Sequence, residues 1–486
     1  MGGEWTTATI EECTDTIIDY RGKTPKKSDH GIPLVTAKIV KGGRVQTPNE
    51  FIRVEDYDSW MRRGIPQPGD VVMTTEAPLG EVAQLPDYIL ALAQRVIVMR
   101  GKQEQLGNRY FKYLLMSEEV QAKLQARASG STVRGIKQKE LRKVVISFPR
   151  IEHQKAVGSI LGSLDDKIDL NHHLNTLLEQ TAQAIFHSWF VAFDPVRAKT
   201  RALEVGCDPE RAAMGALSGK LRVPTNVEEL EEEDFRAAEG RLEELSDEQR
   251  EELAETAGLF PEGLVESEVG LVPEGWGVEA IGNCFSKTIG GDWGKDTPDD
   301  KHTETVRIIR GTDIPQLKRS DSSTVPLRYV SLKKLNSRKL EIGDLIFEVS
   351  GGSKTQSTGR SLYISRHVLA SLNYPSEPAS FCRLFRPKSR GIGIFLRFYL
   401  ERMYDTDRMW EYQNQSTGIS NFQTKEFLKS EVVCIPSSEV LSRFQHWSAP
   451  VVERSYCPET QLLHNLRDTL LPRLISGELS IEGAGG

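Results

Sequence analysis

The stretch GSTVRGIKQKEL at residues 130–141 returns in altered form as QSTGISNFQTKEF at residues 415–427. Both copies join a Ser-Thr pair to a Lys-Glu pair and a following apolar residue over a similar distance. A phrase that recurs about 285 residues later indicates an internal duplication rather than two unrelated loops.

The repetition extends upstream of that phrase. PQPGDVVMTTEAPLGEVA (66–83) corresponds to LEIGDLIFEVSGGSKTQSTGRSLYI (340–364), and each predicts a Gly-Asp turn, an apolar strand and a polar loop. GIPLVTAKIVKGG (31–43) corresponds more loosely to VRIIRGTDIPQLKR (306–319). The chain is therefore expected to contain one globular module twice.

A long amphipathic helix is predicted after each copy. Residues 152–190 lack proline and carry apolar residues at three-to-four spacing, which predicts a rod of about 58 Å. The row comprises Ile160, Leu164, Ile168, Leu174, Leu178, Thr181, Ile185 and Trp189. In the second copy, Pro450 and Pro458 are expected to break or kink the early part, which leaves 459–479 as the clearest helix.

Two such stripes in one chain most simply pack against each other. The alternative is that each helix only completes the core of its own domain. The predicted fold is thus α+β, with two similar domains separated by two long antiparallel helices in a pseudo-two-fold arrangement. The predicted segments are a first domain at 1–150, a central long helix at 151–193, an acidic connector at 194–270, a second domain at 271–436 and a C-terminal long helix at 437–486.

Charge is unevenly distributed along the chain, whose formal net charge is −7. Residues 1–150 and 271–436 each carry +5, whereas residues 195–270 carry −11. The acidic run Glu228–Glu255 is interpreted as a solvated face or short helices, not as a catalytic carboxylate pair. Two mildly basic bodies joined by acidic material are compatible with binding to nucleic acid.

Several other classes of protein are disfavoured by the sequence. No apolar run approaches the ~20 residues that span a bilayer, and the N-terminus lacks the pattern of a secretory signal. The six cysteines show no C-x-x-C spacing, which argues against a zinc site and a disulfide framework. The sequence predicts a cytoplasmic protein with no membrane association and no metal site.

Two similar but unlike bodies, held apart by paired helices, would place two recognition surfaces at a set distance. Dimeric repressors achieve this for half-sites about 34 Å apart. In this arrangement the sequence resembles the specificity (S) subunit of Type I restriction–modification enzymes. The residues that carry the resemblance are the GDV and GDL strand starts, the two Ser-Thr blocks, LDDKIDLNHHLNTLLEQTAQAIFHSWFVAFDP (164–195), the opening LVPEGW (271–276) and the ending LRDTLLPRLISGEL (466–479).

The resemblance covers essentially the whole chain, although the acidic connector is longer than that architecture needs. It implies two target-recognition domains, each reading one part of a split, asymmetric site on double-stranded DNA. It also implies two helices that dock two methyltransferase (M) subunits, with restriction (R) motor subunits completing the complex. The M subunits would make N6-methyladenine from S-adenosylmethionine, so this chain would be non-catalytic and would hold no cofactor.

The residues agree with a non-catalytic role. An adenine methyltransferase needs a [DNS]-P-P-[YFW] pocket, and a P-loop needs G-x-x-x-x-G-K-[ST]; neither tetrapeptide nor loop occurs in the sequence. Two alternatives stay open. One is the recognition portion of a fused DNA methylase–endonuclease, and the other is a coiled-coil adaptor with no role on DNA.

Candidate DNA-binding residues are the cations and hydrogen-bonding side chains of the polar loops. In the first domain they are Arg21, Lys23, Lys26, Lys27, Lys38, Lys41 and Arg44. In the second domain they are Arg307, Arg310, Lys318, Arg319, Lys354, Gln356, Ser357 and Arg360. Each of them could equally be a solvated surface residue. The pairs Ser131-Thr132 and Ser416-Thr417 are expected to cap the helical turns that follow them.

Overall fold

The computed structural model describes residues 5–130, 133–353, 355–416 and 419–479. It divides the chain into two units, one formed by Met1–Leu170 with Leu462–Gly486 and the other by Asn171–Gln461. Both units combine helices with β-sheets. The α+β fold class predicted from the sequence is therefore confirmed.

The described part of the first unit contains eleven strands and the start of a long helix. The strands are β1 (Trp5–Thr9), β2 (Thr14–Asp19), β3 (Ile32–Val35), β4 (Val40–Lys41), β5 (Arg44–Val45), β6 (Phe51–Ile52), β7 (Val71–Thr75), β8 (Leu79–Gln84), β9 (Ala91–Leu92), β10 (Val96–Gly101) and β11 (Val145–Pro149). The helices are α1 (Ile10–Cys13), α2 (Tyr57–Trp60), α3 (Asn108–Met116), α4 (Glu118–Ala126), α5 (Gln138–Leu141) and α6 (Ile151–Phe190), of which α6 ends in the second unit.

Within its described residues, the second unit contains fourteen strands and most of the remaining helices. The helices are α7 (Asp194–Glu204), α8 (Pro209–Ser218), α9 (Glu232–Leu242), α10 (Asp247–Gly258), α11 (Ile314–Leu317), α12 (Leu332–Arg338), α13 (Arg366–Leu372), α14 (Arg390–Asp405), α15 (Thr424–Ser430), α16 (Ser438–Ser455) and α17 (Glu459–Ile475), of which α17 ends in the first unit. The strands are β12 (Leu264–Ser267), β13 (Gly270–Pro273), β14 (Gly277–Ala280), β15 (Phe285–Gly290), β16 (Glu304–Ile309), β17 (Leu327–Val330), β18 (Leu345–Glu348), β19 (Ser350–Gly351), β20 (Ser361–Tyr363), β21 (Ser376–Pro378), β22 (Cys382–Pro387), β23 (Gln413–Ser416), β24 (Ile419–Phe422) and β25 (Val432–Ile435).

The two units contain lobes of one topology. We call the chain from β1 to β11 the first lobe and the chain from β14 to β25 the second lobe. The four-stranded sheet β2-β10-β7-β8 of the first lobe corresponds to β15-β22-β18-β20 of the second. The three-stranded sheet β6-β3-β9 corresponds to β17-β16-β21, and the pair β1-β11 to β14-β25. The duplication predicted from the sequence is therefore a duplication of the fold.

The repeated Gly-Asp pair makes the same structure in both lobes. Gly69 and Gly343 have φ of +80° and +99°, which a residue with a side chain adopts only with strain. The carboxylates of the following Asp70 and Asp344 are almost fully buried. Each accepts a backbone N–H three residues upstream, at 2.8 and 2.7 Å respectively.

The same carboxylates anchor an arginine from the neighbouring strand. Arg100 binds Asp70 through two contacts of 2.7 Å, and Arg386 binds Asp344 through two contacts of 2.8 Å. The bidentate geometry satisfies both buried oxygens, so the aspartate can end the turn without an unpaired charge. This requirement explains why the Gly-Asp pair persists in both copies of the module.

In the first unit, the start of α6 packs beside the end of α17. Val157 and Leu161 share a buried apolar cluster with Leu471 and with side chains of α3. The carboxylate of Asp165 in α6 accepts a hydrogen bond from Nη1 of Arg467 in α17 at 2.9 Å. The helix pairing predicted from the sequence is thus present in this unit.

In the second unit, the end of α6 packs beside α16. The rings of Phe186 and Phe190 lie 6.0 and 4.9 Å from the ring of Phe444. Ser455 of α16 donates a hydrogen bond to Glu179 of α6 at 3.3 Å. Residue numbers rise along α6 as they fall along α16, so the two helices are antiparallel in this unit.

The buried face of α6 differs from the predicted row. Ile168 and Trp189 are buried as expected, but Thr181 is exposed and Ile160 is only half-buried. The helix turns other residues inward, including Phe186, because in each unit it covers lobe side chains as well as a second helix.

The acidic connector forms a small helical body within the second unit. Phe235, Ala238 and Leu242 of α9 are buried, while Glu232 and Glu233 are exposed. Ser246 caps α10 by accepting the backbone N–H of Gln249 at 3.2 Å. Folding of this acidic run into short helices agrees with the interpretation made from the sequence.

Two sequence predictions are corrected by the structure. The C-terminal long helix predicted over 437–486 is two helices: α16 ends at Ser455, and α17 begins at Glu459. Pro458 explains the break, since the residue before a proline avoids helical geometry, whereas Pro450 lies inside α16. Ser416 is the last residue of β23, and the N-cap of the next helix, α15, is Gln423. Ser131, Thr132 and Thr417 lie outside the described residues.

Candidate nucleic-acid interface

Three loops of the first lobe emerge from one end of its four-stranded sheet. Ile97 near the start of β10 pairs with Asp19 at the end of β2 and with Met73 in β7, and both pairings are antiparallel. The ends of β2 and β7 therefore lie beside the start of β10. The loops that share this end are 20–31, 76–78 and 93–95.

The second lobe repeats this arrangement with different loops. Arg383 near the start of β22 pairs with Gly290 at the end of β15 and with Phe347 in β18. The loops that share the corresponding end are 291–303, 349–360 and 379–381. We call this region of each lobe the loop end.

One turn at the loop end is equivalent residue by residue in the two lobes. Ala93 and Ala379 are both buried, and each donates its backbone N–H to the adjacent parallel strand, at 2.9 and 2.8 Å. The next two residues are Gln-Arg (94–95) in the first lobe and Ser-Phe (380–381) in the second. The same backbone arrangement thus presents different side chains in the two lobes. Two surfaces that recognise different base sequences require such a difference.

The loop that follows β7 in the first lobe and β18 in the second differs most in length between the lobes. In the first lobe it spans only residues 76–78, whereas in the second it spans 349–360 and includes β19, which pairs with β24. Gly352 and Gly359 have φ of +49° and +107°, so the long loop follows a path that depends on glycine.

Five predicted cations of the first lobe lie in or near its loop end. Lys23 and Lys26 are exposed. Lys27 forms an ion pair with Glu50 at 2.8 Å, and Lys38 lies 3.7 Å from the same carboxylate. The hydrogen bond from Lys27 is the main cause that lowers the pKa of Glu50. Arg21 donates a hydrogen bond to the carbonyl of Ile136 at 2.5 Å.

The other two predicted cations of this lobe lie on the hairpin formed by β4 and β5. Lys41 is exposed. Arg44 lies against α6 within the first unit, where it forms an ion pair with Asp169 and donates to the carbonyl of Asp165 at 3.2 Å. The structure therefore places Arg44 on the helix and not at the loop end.

Asp165 joins the first lobe to the helices of its unit. Its carboxylate accepts hydrogen bonds from Lys112 at 2.5 Å, from Tyr113 at 2.6 Å and from Arg467 at 2.9 Å. Burial by itself would raise the pKa of Asp165, but the cations outweigh it and lower the pKa to about 2. Burial also lowers the pKa of Lys112 more than its carboxylate partner raises it. This cluster orients helices and is structural.

In the second lobe, two predicted arginines at the loop end are already paired with buried carboxylates. Arg310 makes bidentate contacts of 2.9 and 2.6 Å with Asp313. Arg360 makes bidentate contacts of 2.8 and 2.5 Å with Glu348. Arg307 donates a hydrogen bond to the carbonyl of Val325.

The remaining loop residues of the second lobe have different environments. Gln356 is exposed and donates to the hydroxyl of Tyr404 at 3.3 Å. Ser357 is buried, with 4% of its surface exposed. Lys354 lies outside the described residues.

Lys318 and Arg319 follow α11 and lie beside α6 in the second unit, outside the three loops of the loop end. Lys318 donates to Glu401 at 2.6 Å. Both cations line a cavity of about 550 Å³, which also includes Glu179 and the buried Arg397. Arg397 binds Glu179 at 2.7 Å, so opposite charges are matched in this cavity.

Sequence reasoning missed the exposed aromatic residues at the loop end of the second lobe. Trp293 and Phe381 have 39% and 63% of their surface exposed and line a cleft of about 710 Å³. The available signal was an aromatic residue inside a polar, glycine-rich loop, as in GGDWGKD (290–296). Gln94 and Arg95 in the first lobe were missed as well, because they follow a buried strand without a basic cluster around them.

None of the helices in the described parts of the chain combines the length and apolar composition that a bilayer crossing requires.

The fold of this chain is similar to that of a solved structure, the S subunit of a Type I restriction–modification system from M. genitalium. That structure aligns with 98% of this chain and 96% of its own, with a TM-score of 0.54 and 14% sequence identity. At this identity the likeness shows a shared fold, one that in this chain contains two lobes of the same topology.

Sequence comparison gives the family. Residues 4–180 match the family described as "Type I restriction modification DNA specificity domain". The Type I restriction enzyme HindI specificity subunit of Haemophilus influenzae is 30% identical over 382 residues, which cover 75% of this chain and 76% of that protein. The MjaIX specificity subunit of Methanocaldococcus jannaschii is 21% identical over 421 residues, which cover 85% of this chain and 78% of that protein. The chain belongs to the family of Type I restriction enzyme specificity subunits, whose role in these systems is DNA recognition.

Proposed function

We propose that this chain reads a bipartite, asymmetric site on double-stranded DNA, with one lobe on each half-site. The observation that carries the proposal is the loop end, which the same topology offers twice with unlike side chains. Exposed Lys23 and Lys26 would supply phosphate contacts in the first lobe. Bases would be read by the turn residues 94–95 and 380–381.

Arg44 and Lys318, although among the predicted DNA contacts, are better assigned to the structure of their units. Each is ion-paired next to α6, and neither belongs to the three loops of its loop end. Arg310 and Arg360 are assigned to shaping the loop end, because buried carboxylates already neutralise them. Among the remaining candidates, the exposed residues stay proposed DNA contacts, namely Lys23, Lys26, Lys27, Lys38, Lys41, Arg319 and Gln356. The half-buried Arg21 and Arg307 also stay proposed contacts, whereas the buried Ser357 is assigned to the structure of its loop.

The chain performs no chemistry in this proposal and directs other subunits to the site. Two M subunits would dock on the paired helices and methylate adenine, and R subunits would complete the restriction complex. The predicted target-recognition domains, 1–150 and 271–436, suit such a modular role. In each lobe the first strand pairs with the last, β1 with β11 and β14 with β25, so each lobe begins and ends at one place.

Co-expression with the M subunit of the same system, followed by genome-wide mapping of N6-methyladenine, tests the proposal. A two-part asymmetric motif that depends on this chain is the expected result. Methylation without this chain, or none with it, contradicts the proposal.

Exchange of residues 271–436 for the matching domain of another specificity subunit sharpens the test. The first and last strands of the lobe move together, so the exchanged domain should fold as a unit. We expect one half of the methylated motif to change and the other to stay the same. A change in both halves contradicts the assignment of one lobe to each half-site.

The helices are proposed to set the length of the spacer between half-sites. Insertion of four residues at 170/171 together with four at 461/462 leaves the contacts within each unit in place. It should lengthen the helical connection by about 6 Å, or roughly two base pairs. The insertion at 170/171 alone is the control, and it should abolish methylation because it breaks the matching of the helices. An unchanged spacer in the double insertion contradicts the role of the helices.

A further inference from the structure

The cleft at the loop end of the second lobe has the size of a small-ligand site. Its volume is about 710 Å³, within the range of about 300–1,000 Å³ typical of such sites. Trp293 and Phe381 line it together with Arg310, Arg360 and the glycine-rich loop. We call it the aromatic cleft.

The aromatic cleft is not suited to a phosphate. Arg310 is held by Asp313, and Arg360 by Glu348, in bidentate pairs whose carboxylates are 1% and 2% exposed. Each pair is neutral, and the guanidinium N–H groups that could bind a phosphate already donate to the carboxylate. A phosphate that entered the cleft would have to compete with Asp313 and Glu348 for these two arginines.

The floor of the aromatic cleft is backbone lying directly on one of these carboxylates. A Cβ atom at Gly311 would lie 2.2 Å from Oε1 of Glu348, and a Cβ atom at Gly351 would lie 2.6 Å from the same oxygen. Both glycines are therefore required for the close approach. Glycine backbone and aromatic side chains therefore both line the cleft.

Both aromatic residues are held in position by the surrounding structure. The guanidinium of Arg328 lies 4.7 Å from the ring centre of Trp293 and forms an ion pair with Asp296. The carbonyl of Phe381 accepts backbone hydrogen bonds from Val349 at 2.9 Å and from Ser350 at 3.3 Å. These contacts restrict the movement of both exposed residues, and this restriction lowers the entropic cost of stacking a ligand on their rings.

Neutral hydrogen-bonding side chains complete the lining. Thr312, Gln356 and Ser380 are exposed at the aromatic cleft and can each donate or accept a hydrogen bond. A ligand that matches this lining is flat, uncharged and hydrogen-bonding at its edge. These are the properties of a nucleobase.

We propose that the aromatic cleft receives one nucleobase unstacked from the DNA duplex, and that Trp293 and Phe381 are specificity-determining residues for the second half-site. This inference rests on the proposed function of the second lobe. The base would stack on the aromatic rings, as bases do in proteins that take them out of the helix. In the first lobe the residue equivalent to Phe381 is Arg95, which pairs with Glu76 at 3.1 Å. The first half-site would therefore be read without an unstacked base.

Fluorescence of 2-aminopurine tests this proposal once the methylated motif has been mapped. Duplexes carry the probe at each position of the second half-site in turn, except the adenine that becomes methylated, because methyltransferases unstack their own target base. The full chain in complex with its M subunits is then added. We expect a severalfold rise in fluorescence at one position of the second half-site and none in the first half-site.

Substitutions assign that signal to the cleft. Phe381→Ala and Trp293→Ala should remove the fluorescence rise and weaken binding of the cognate duplex by about tenfold. Phe381→Tyr should retain both. Glu268→Gln, at an exposed glutamate in the turn between β12 and β13 and outside both lobes, should leave the signal unchanged. Since Phe381 is largely exposed, its truncation leaves the core intact, and circular dichroism of the variant complex checks this directly.

The outcomes separate this inference from the proposed function. If the wild-type complex methylates a bipartite motif but no probe position responds, the proposal that a base is unstacked into the cleft is refuted. The assignment of one lobe to each half-site is unaffected by that result. If the signal persists in both alanine variants, the assignment to the aromatic cleft is refuted. If the wild-type complex yields no bipartite motif, the proposed function fails and the inference fails with it.

Discussion

Strand β21 of the second lobe carries a glutamate, Glu377, with no exposed surface. Neither of its carboxylate oxygens has a hydrogen-bond partner within the described residues. Burial raises the pKa of Glu377 to about 7, and nearby Asp292 adds to the increase, whereas Arg338 and Lys334 oppose it. A carboxyl group in this position is costly to ionise.

The sign of the effect on stability follows from the two pKa values of Glu377. In the unfolded chain the carboxyl titrates near 4.5, so between about pH 4.5 and pH 7 the folded state binds a proton that the unfolded state has lost. Stability therefore falls as pH rises through this window and changes no further above it. At about 1.4 kcal/mol per pH unit, the difference between the folded and unfolded pKa values of Glu377 lowers the free energy of unfolding by about 3 kcal/mol above pH 7.

The substitution Glu377→Gln removes the ionisation and keeps the shape of the side chain. We expect the variant to be more stable than the wild type by about 3 kcal/mol near pH 8, and by less than about 1 kcal/mol near pH 5. Thermal unfolding of the full chain, followed by circular dichroism across this pH range, measures the difference. Near pH 8 the midpoint should rise by about 5 °C.

The control is Glu268→Gln, at an exposed glutamate in the turn between β12 and β13. It should leave the midpoint unchanged at every pH. A Glu377→Gln variant that is less stable than the wild type near pH 8, or whose advantage is the same at all pH values, would refute the reasoning. The first result would mean that the carboxylate is stabilised by its surroundings, and the second that its ionisation is irrelevant.

Three further predictions test the structure elsewhere. Asp165→Ala leaves buried cations without their partner and should destabilise the first unit by about 3 to 5 kcal/mol in denaturant unfolding; the wild-type advantage should shrink as pH falls from about 4 towards the folded pKa of about 2. Gly311→Ala forces a Cβ atom onto Glu348 and should cost about 1 to 3 kcal/mol, whereas Gly240→Ala, where nothing lies within 4 Å, should not destabilise. Lys26→Ala should weaken DNA binding uniformly across sequences and reduce the slope of log affinity against log salt by about 0.9; a changed methylation motif would contradict a phosphate contact.

The sequence predicted the features that depend on local chemistry. The Gly-Asp turns were predictable because glycine at positive φ and a turn-capping aspartate act within a few residues of each other. The long helix was predictable from its apolar period and its lack of proline, and the break near Pro458 from the conformational restriction of proline. The duplication followed from repetition itself, and the shared sheet order of the two lobes confirms it.

The candidate site was predicted less well, because a positive charge in the sequence does not reveal its partner in the fold. Arg360 and Lys318 looked like free cations but are paired with Glu348 and Glu401. Lys23 and Lys26, by contrast, are exposed in the loop where they were predicted. Phe381 was overlooked because nothing in a single sequence says that an aromatic residue after a buried strand will face solvent.

What the sequence by itself determined is thus the module, its repetition and its helices, since each is set by interactions over one turn or one period. Only the tertiary structure decided which charges are compensated and which side chains share the loop end. Asp165 and Arg467 meet across 302 residues of chain, and their pairing depends on the desolvation that the surrounding lobe imposes. Burial is a property of the whole packed unit, so the electrostatic roles of these residues could be assigned only after the chain had folded.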